Sequence, residues 1–197
     1  MRVLVKICGL REERHVVDAL DAGADALGFV FAASARQITP QKACTISKHV
    51  PLGVKRVAVM LHPGNDEWLA VLEHFRPDVL QTDAEDLAAL DIPDGLECWP
   101  VFREGSDIVG TGSTYLYEGA KSGQGETVNW SAAADVARHG NMVLAGGLRP
   151  DNVATAIQTV KPYGVDASSG LESAPGQKDS RLIREFVRAV RAVEKNV

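Results

Sequence analysis

Apolar positions along this chain follow two alternating rhythms. Short β-type runs are each followed by a stretch in which apolar residues recur at helical spacing. Val3 to Cys8 reads as a strand, and Arg11 to Gly23 (REERHVVDALDAG) as a helix stopped by its glycine. Ala26 to Phe31 is a second apolar run, and the helix after it is expected to start beyond Thr39 with Pro40 in its first turn. Lys55 to Met60 (KRVAVM) is a third strand. Asn65 is placed to cap the following helix, whose Trp68, Val71, Leu72 and Phe75 fall at i, i+3, i+4 and i+7. Asp78 to Gln81 makes a fourth short run, followed by a weak helix over Asp86 to Leu90.

The second half repeats the theme. Cys98 to Phe102 and Thr114 to Tyr117 read as strands, Trp130 to His139 as helix and Asn141 to Ala145 as strand. Pro150 fits the first turn of a helix carrying Val153, Ala156, Ile157 and Val160. Tyr163 to Asp166 is the last strand. Ser180 to Lys195 is the most regular helix, with Leu182, Ile183, Phe186, Val187, Val190 and Val193 on its buried side.

Strands alternating with helices imply parallel pairing through right-handed crossovers. Eight such units predict an α/β fold, a single-domain (β/α)8 barrel spanning residues 1–197, at the lower end of that architecture's size range. A doubly wound open sheet is the rival if the weak fourth and fifth units are not real. Composition agrees with one globular domain: 45% of residues are apolar and 24% charged. The net charge of −5 argues against a nucleic-acid partner while leaving room for a local positive site. No apolar run approaches a membrane span, and no leader pattern is expected in the opening VLVKICG. Three widely spaced cysteines (Cys8, Cys44, Cys98) suggest neither a disulfide framework nor a zinc site, so a cytoplasmic location is expected.

A barrel of this kind carries its site at the C-terminal ends of its strands. Two strand ends there have phosphate-binding character. Gly146 and Gly147 stand between a strand and a helix in AGGLRPDN, and Ser168, Ser169 and Gly170 follow the final strand in DASSGLE. Each also has a plainer reading, a tight turn and a helix cap respectively. Lys178 reads as a solvated surface charge, and Cys44 and Cys98 as structural cysteines.

Lys6 and Cys8 share one face of the first strand because side chains alternate, so both are expected to point into the barrel. A lysine there needs a carboxylate, and Asp166 at the end of the last strand is the neighbouring choice. A nearby cation is expected to lower the Cys8 thiol pKa and so favour a thiolate base. On spacing alone, however, the buried structural reading of Cys8 is the stronger one. Glu118 ends the strand TYLY, where it is either a general acid or a solvated loop residue. Arg36, in a loop at the same face, either takes a substrate carboxylate bidentately or forms an ordinary salt bridge. The histidines at 15, 49, 62, 74 and 139 are scattered with no metal-ligand spacing, and His62, near a strand end, is left unassigned.

Three segments together carry a resemblance. VKICGL at the start, ADALGFVFAASARQI, and LAGGLRPDNVATAIQTVKPYGVDASSGLESAPGQKD (Leu144 to Asp179) resemble the phosphoribosylanthranilate isomerase family of tryptophan biosynthesis. The spacing of Asn129-Trp130 after GQG also fits, and the likeness extends over essentially the whole chain. It implies a (β/α)8 barrel that performs an Amadori rearrangement without cofactor or metal. Cys8 would be the base and the carboxylic acid after strand six the acid; Arg36 would hold the anthranilate carboxylate. Gly146, Gly147, Ser168 and Ser169 would bind phosphate, and Asp166 would serve a substrate hydroxyl or Lys6.

The sequence departs from that family in three places. The strand-six residue, usually aspartate, is Glu118, whose extra methylene moves the carboxyl by about 1.5 Å. The common QLHG after strand four is QTDA, so Thr82-Asp83 replaces Leu-His, and no catalytic role is carried over to that site. The glycine-rich GGxG becomes Ser122-Gly123-Gln124-Gly125. An indole-glycerol-phosphate synthase is disfavoured because few lysines stand near strand ends. A non-catalytic sugar-phosphate binder is the alternative that Glu118 feeds and that Cys8 and Arg36 oppose. The expected partner is a phosphorylated small-molecule substrate, with no nucleic acid or membrane, for a monomer or a homodimer.

Overall fold

Eight parallel strands form a closed barrel in chain order: β1 (Leu4–Cys8), β2 (Ala26–Val30), β3 (Lys55–Val59), β4 (Val79–Asp83), β5 (Glu97–Arg103), β6 (Thr114–Glu118), β7 (Asn141–Leu144) and β8 (Gly164–Ala167). The computed structural model describes residues 2–106, 113–119 and 127–195. β8 pairs with β1 in a register that sets Lys6 opposite Asp166. The fourth and fifth units are genuine neighbours, paired from Val79 and Glu97 to Asp83 and Val101, so the open-sheet alternative falls.

Helices α1 (Glu13–Ala22), α2 (Pro40–Ile46), α3 (Asn65–His74), α4 (Trp130–Val136), α5 (Val153–Val160) and α6 (Ser180–Glu194) pack outside the strands. Their ends obey the sequence closely. Gly23 closes α1 in the left-handed conformation, φ 93°, and its N–H reaches the carbonyls of Ala19 and Leu20. Thr39 caps α2 with Pro40 behind it, and Asp179 caps α6. Two starts differ from expectation. Asn65 is the first helical residue rather than the cap, because the Glu67 carboxylate accepts the N–H of Gly64 one residue earlier. Pro150 lies in the turn before α5, which the Asn152 side chain holds by accepting the Arg149 N–H.

The weak helix expected over Asp86 to Leu90 is only a 3-10 turn, Asp86–Ala88. The segment is too short to repay helix nucleation before Pro93 restricts the chain.

Strand alternation divides the core in two. Outward residues such as Val5, Ile7, Leu27, Phe29 and Leu80 pack under the helices with Trp68, Phe75, Phe186 and Val190. Inward residues fill the lower barrel: Ala26, Val57, Val79 and Trp99 form one layer, and Val101, Leu116, Val143 and Ala145 another. The Trp99 indole N–H is satisfied by Glu97, which also pairs with Lys55. The barrel is thus plugged from below, and its upper, C-terminal mouth is left for polar groups.

One element was not foreseen. β9 (Glu172–Ala174) and β10 (Gln177–Lys178) form a small antiparallel hairpin between β8 and α6. Its turn uses Gly176 at φ 77°, and a β-carbon there would lie 2.6 Å from the Ala35 carbonyl oxygen. The hairpin therefore lies directly against the loop after β2.

Candidate active site

The last inward position of several strands, with the loops that follow, lines one pocket at the barrel mouth. Cys8, Arg36, Glu118, Asp166, Gly146, Gly147, Ser168 and Ser169 all belong to it. Each site residue expected from the sequence is therefore found around a single cavity. The glycine-rich stretch 122–125 lies outside the described residues.

Lys6 is fully buried and donates to Asp166 across the β1–β8 seam, Nζ to Oδ1 2.8 Å. Cys8 sits one layer above on the same face. Gly28 on β2 makes room for it, since a β-carbon at that position would lie 2.8 Å from the thiol Sγ. The thiol pKa corrects the sequence expectation. Burial pushes it up; Lys6 opposes the rise, but Asp166 adds to it. The cation expected to favour thiolate is present, but burial and the lysine's own partner outweigh it.

Glu118 is the final residue of β6, in register with Arg103 at the end of β5. Its carboxylate lies 3.5 Å from Arg103 Nη2, while Arg103 Nη1 donates to Asp83 at 2.7 Å. Asp83 is buried at the end of β4, and Glu118 is largely covered at the pocket wall. Thr82 faces the other way and donates its hydroxyl to Asp86. Asp86 also accepts from His62, whose Nδ1 lies 2.9 Å away and whose Nε2 is 3.5 Å from Asp83. His62, Asp83 and Asp86 are the grouping among the described residues whose donor atoms are close enough to share a metal ion. Its carboxylates are already taken by Arg103, Thr82 and His62, so it is built as an ion-pair network.

Arg36 makes a bidentate pair with Glu172 on β9, Nε to Oε1 2.8 Å and Nη2 to Oε2 2.9 Å. Gly9, at φ 80°, lets the arginine cross the end of β1, because a β-carbon there would meet Arg36 Cδ at 2.6 Å. Glu172 accepts a second cation: Lys178 Nζ lies 2.6 Å from Oε1 and donates also to the Ser168 carbonyl at 3.0 Å. This corrects the reading of Lys178 as a solvated surface charge. The hairpin turns its ammonium under the loop after β8, where it is buried. Burial works against the Glu172 carboxylate, but Arg36 and Lys178 hold it below its ordinary value.

The loops after β7 and β8 meet backbone to backbone. Gly146 and Gly147 take positive φ values of 91° and 58°. A β-carbon at Gly170 would lie 2.1 Å from the Leu148 carbonyl oxygen. Ser168 donates its hydroxyl to the Cys8 carbonyl at 3.1 Å, tying this loop to the base of the thiol.

Sequence reasoning gave no role to Glu172 or Gln81 and misplaced Lys178. Gln81 is buried and lines the pocket, and its Oε1 has no hydrogen-bond partner among the described residues. The alternation Val79, Gln81, Asp83 on a strand with inward-facing Val79 carried the signal for it.

Residues 5–189 match the family model described as N-(5'phosphoribosyl)anthranilate (PRA) isomerase. The chain belongs to the phosphoribosylanthranilate isomerase family. A relative from Pelobacter propionicus, named N-(5'-phosphoribosyl)anthranilate isomerase, is 38% identical over 94% of this chain and 94% of its own. The phosphoribosyl anthranilate isomerase of Thermus thermophilus superposes with a TM-score of 0.82 at 28% identity, covering 98% of this chain and all of that one. A second isomerase of the family, solved in complex with reduced 1-(o-carboxyphenylamino)-1-deoxyribulose 5-phosphate, gives a TM-score of 0.76 at 28% identity over 96% of this chain and 99% of that one. Family and barrel thus agree over nearly the whole chain.

Proposed function

We propose that this chain, acting through residues 1–197 as one catalytic barrel, converts N-(5'-phosphoribosyl)anthranilate to 1-(2-carboxyphenylamino)-1-deoxyribulose 5-phosphate, a step of tryptophan biosynthesis. The observation that carries the reading is that a thiol on β1 and a carboxyl on β6 line one pocket beside two glycine- and serine-bearing loops. β7 and β8 separate the two reacting groups along the barrel wall, which leaves room for a sugar between them.

In this mechanism the amides of Gly146 and Gly147 and the hydroxyls of Ser168 and Ser169 anchor the phosphate. Arg36 uses Nε and Nη2 on Glu172 and offers Nη1 to the anthranilate carboxylate. Glu118, protonated, gives its proton to the furanose ring oxygen. The C1'–O bond breaks, the nitrogen lone pair forms the C1'=N bond, and the open-chain Schiff base results. Cys8 then takes the C2' proton in its thiolate form, the minor form of this buried thiol, which Lys6 beneath it favours. The C–H electrons form C1'=C2', the iminium electrons return to nitrogen, and the resulting enolamine tautomerises to the ketone. Asp166 holds Lys6 beneath the thiol and turns its other oxygen to a ribose hydroxyl. Both steps are proton transfers, for which carboxyl and thiol groups suffice. Anchoring the substrate at both ends supplies the orientation that makes them fast.

Every residue given a role comes from one chain, so the mechanism serves a monomer or a homodimer alike. The free state of Cys8, Cys44 and Cys98 fits a reducing, cytoplasmic location, and no helix among the described residues is long and apolar enough to cross a membrane.

The test is the loss of anthranilate-type fluorescence when the protein meets freshly prepared N-(5'-phosphoribosyl)anthranilate. Decay well above spontaneous hydrolysis, with the rearranged ketose identified as product, is the expected outcome. Binding of the phosphorylated product analogue with no decay would overturn the catalytic reading and leave a sugar-phosphate binder.

A further inference from the structure

Lys178 is a buried cation to which the mechanism gives no part. The β9–β10 hairpin carries it under the loop after β8, with its side chain fully buried. Three acceptors surround Nζ: Glu172 Oε1 at 2.6 Å, the Ser168 carbonyl at 3.0 Å and Ser168 Oγ at 3.4 Å. That number matches the three N–H donors of an ammonium, so the geometry suits the charged form. Burial lowers the lysine's pKa, and Glu172 opposes the fall.

The charges in this cluster do not cancel. Glu172 is also the anion of Arg36, so one carboxylate serves two cations and one positive charge is left over. His15 on α1 and Cys8 on β1 lie within reach of Lys178, and burial favours the neutral form of both. Arg36 serves the carboxylate end of the substrate. Lys178 lies instead against Ser168, whose carbonyl also accepts the Leu171 N–H at 3.1 Å and whose hydroxyl donates to the Cys8 carbonyl. Lys178 does not itself line the pocket, whereas Ser168 and Ser169 do. A charge held just behind those residues acts through a low-dielectric interior, where it is felt more strongly than in water.

We propose that Lys178 is a positioning residue for the phosphate end of the substrate: its ammonium, fixed beneath Ser168, supplies positive charge to a bound phosphate dianion without touching it. This rests on the reading of the loops after β7 and β8 as the phosphate anchor.

Ribose 5-phosphate carries the phosphate without the carboxylate, and anthranilate the reverse. Each is titrated calorimetrically into the full chain, with circular dichroism confirming that every variant is folded. Lys178→Met removes the ammonium and leaves Glu172 its bidentate Arg36. Lys178→Gln removes the charge but keeps an N–H donor for the Ser168 carbonyl. Both variants are expected to bind ribose 5-phosphate about tenfold more weakly and anthranilate as wild type does. The charge also has a signature of its own. A phosphate ester loses its second proton at about pH 6, so wild type should bind ribose 5-phosphate more tightly as pH rises from about 5 to about 7.5, and both variants should show a smaller gain. Glu172 and Arg36 stay ionised and Cys8 stays a thiol over that range, and His15 is common to all the proteins compared.

If Lys178→Gln binds like wild type while Lys178→Met does not, the lysine only tethers the loop and the proposal falls. Equal affinity in all three proteins, or an undiminished pH gain in both variants, overturns it as well. Gly170→Ala separates the two levels. Ribose 5-phosphate that fails to bind wild type, or binds Gly170→Ala as tightly, refutes the phosphate anchor itself. Weakening in Gly170→Ala but in neither Lys178 variant refutes only the role of Lys178.

Discussion

Cys8 is a thiol whose burial works against its own ionisation, and Lys6 and, to a lesser extent, Lys178 resist this. Without the base, proton removal from C2' has no acceptor in place, so Cys8→Ala should lower kcat by about 10²- to 10⁴-fold. Binding of the reduced product analogue should be unchanged, as calorimetry would check. Near-wild-type turnover would make the cysteine structural. Glu172 presents the converse case, an anion held between two cations. Arg36 and Lys178 keep it ionised more readily than in the unfolded chain. Its contribution to stability is therefore full above its ordinary value of 4.5 and is lost as pH falls through the lower folded value. Glu172→Gln should remove that acid-labile part. It should also cost about 3–5 kcal/mol at neutral pH by stranding buried Lys178, and raise KM by releasing Arg36. Melting curves between pH 7 and pH 3 would show both the loss and its missing pH dependence.

The elements explain why so much of the site was legible. Period-2 alternation puts the inward residue at each strand's upper end into the pocket, so counting from apolar Val5 and Ile7 already turned Lys6 and Cys8 inward. The need of an inward lysine for a carboxylate pointed to Asp166 on the neighbouring strand, and the two lie 2.8 Å apart. What escaped was non-periodic. The hairpin Glu172–Lys178 has too few residues for either rhythm, and its inward-turned Lys178 looks like any surface lysine until the chain folds back. The balance of burial against charge at Cys8 escaped for a related reason, since it depends on three elements meeting. Asp86 to Leu90 misled because a few apolar residues imitate a helical face that Pro93 cuts short. The close packing of the last two loops gives this scale its own prediction. With 2.1 Å between a Gly170 β-carbon and the Leu148 carbonyl, Gly170→Ala must push the loops after β7 and β8 apart. Overpacking of this kind costs about 1–3 kcal/mol. The site should show it as a KM raised about tenfold with kcat less affected, because the phosphate anchor and not the proton transfers is displaced.

Across the whole molecule, stability and chemistry are placed at opposite ends of the barrel. The lower end is closed by Trp99 and the apolar layers above it, while the mouth gathers Lys6, Asp166, Asp83, Arg103, Arg36 and Glu172 as buried or half-buried ion pairs. Such pairs return little net stability for the desolvation they require, so their arrangement is better understood as preorganisation for a charged ligand. Closure between β8 and β1 is what brings the phosphate loops beside the thiol, through the Ser168 hydroxyl on the Cys8 carbonyl. A ligand that spans the mouth would therefore tie the first and last strands together only in the folded state. Binding to the native state alone adds about 2.7 kcal/mol at a hundred times Kd. For a chain of this size that corresponds to a rise of roughly 5–10 °C in Tm. The reduced product analogue should produce this shift equally in wild type and Cys8→Ala, and a smaller one in Gly170→Ala and Glu172→Gln at the same concentration. Differential scanning fluorimetry would read it directly. Equal shifts in all four proteins would mean that the ligand is held away from the loops after β7 and β8, and the phosphate anchor would have to be sought elsewhere on the barrel mouth.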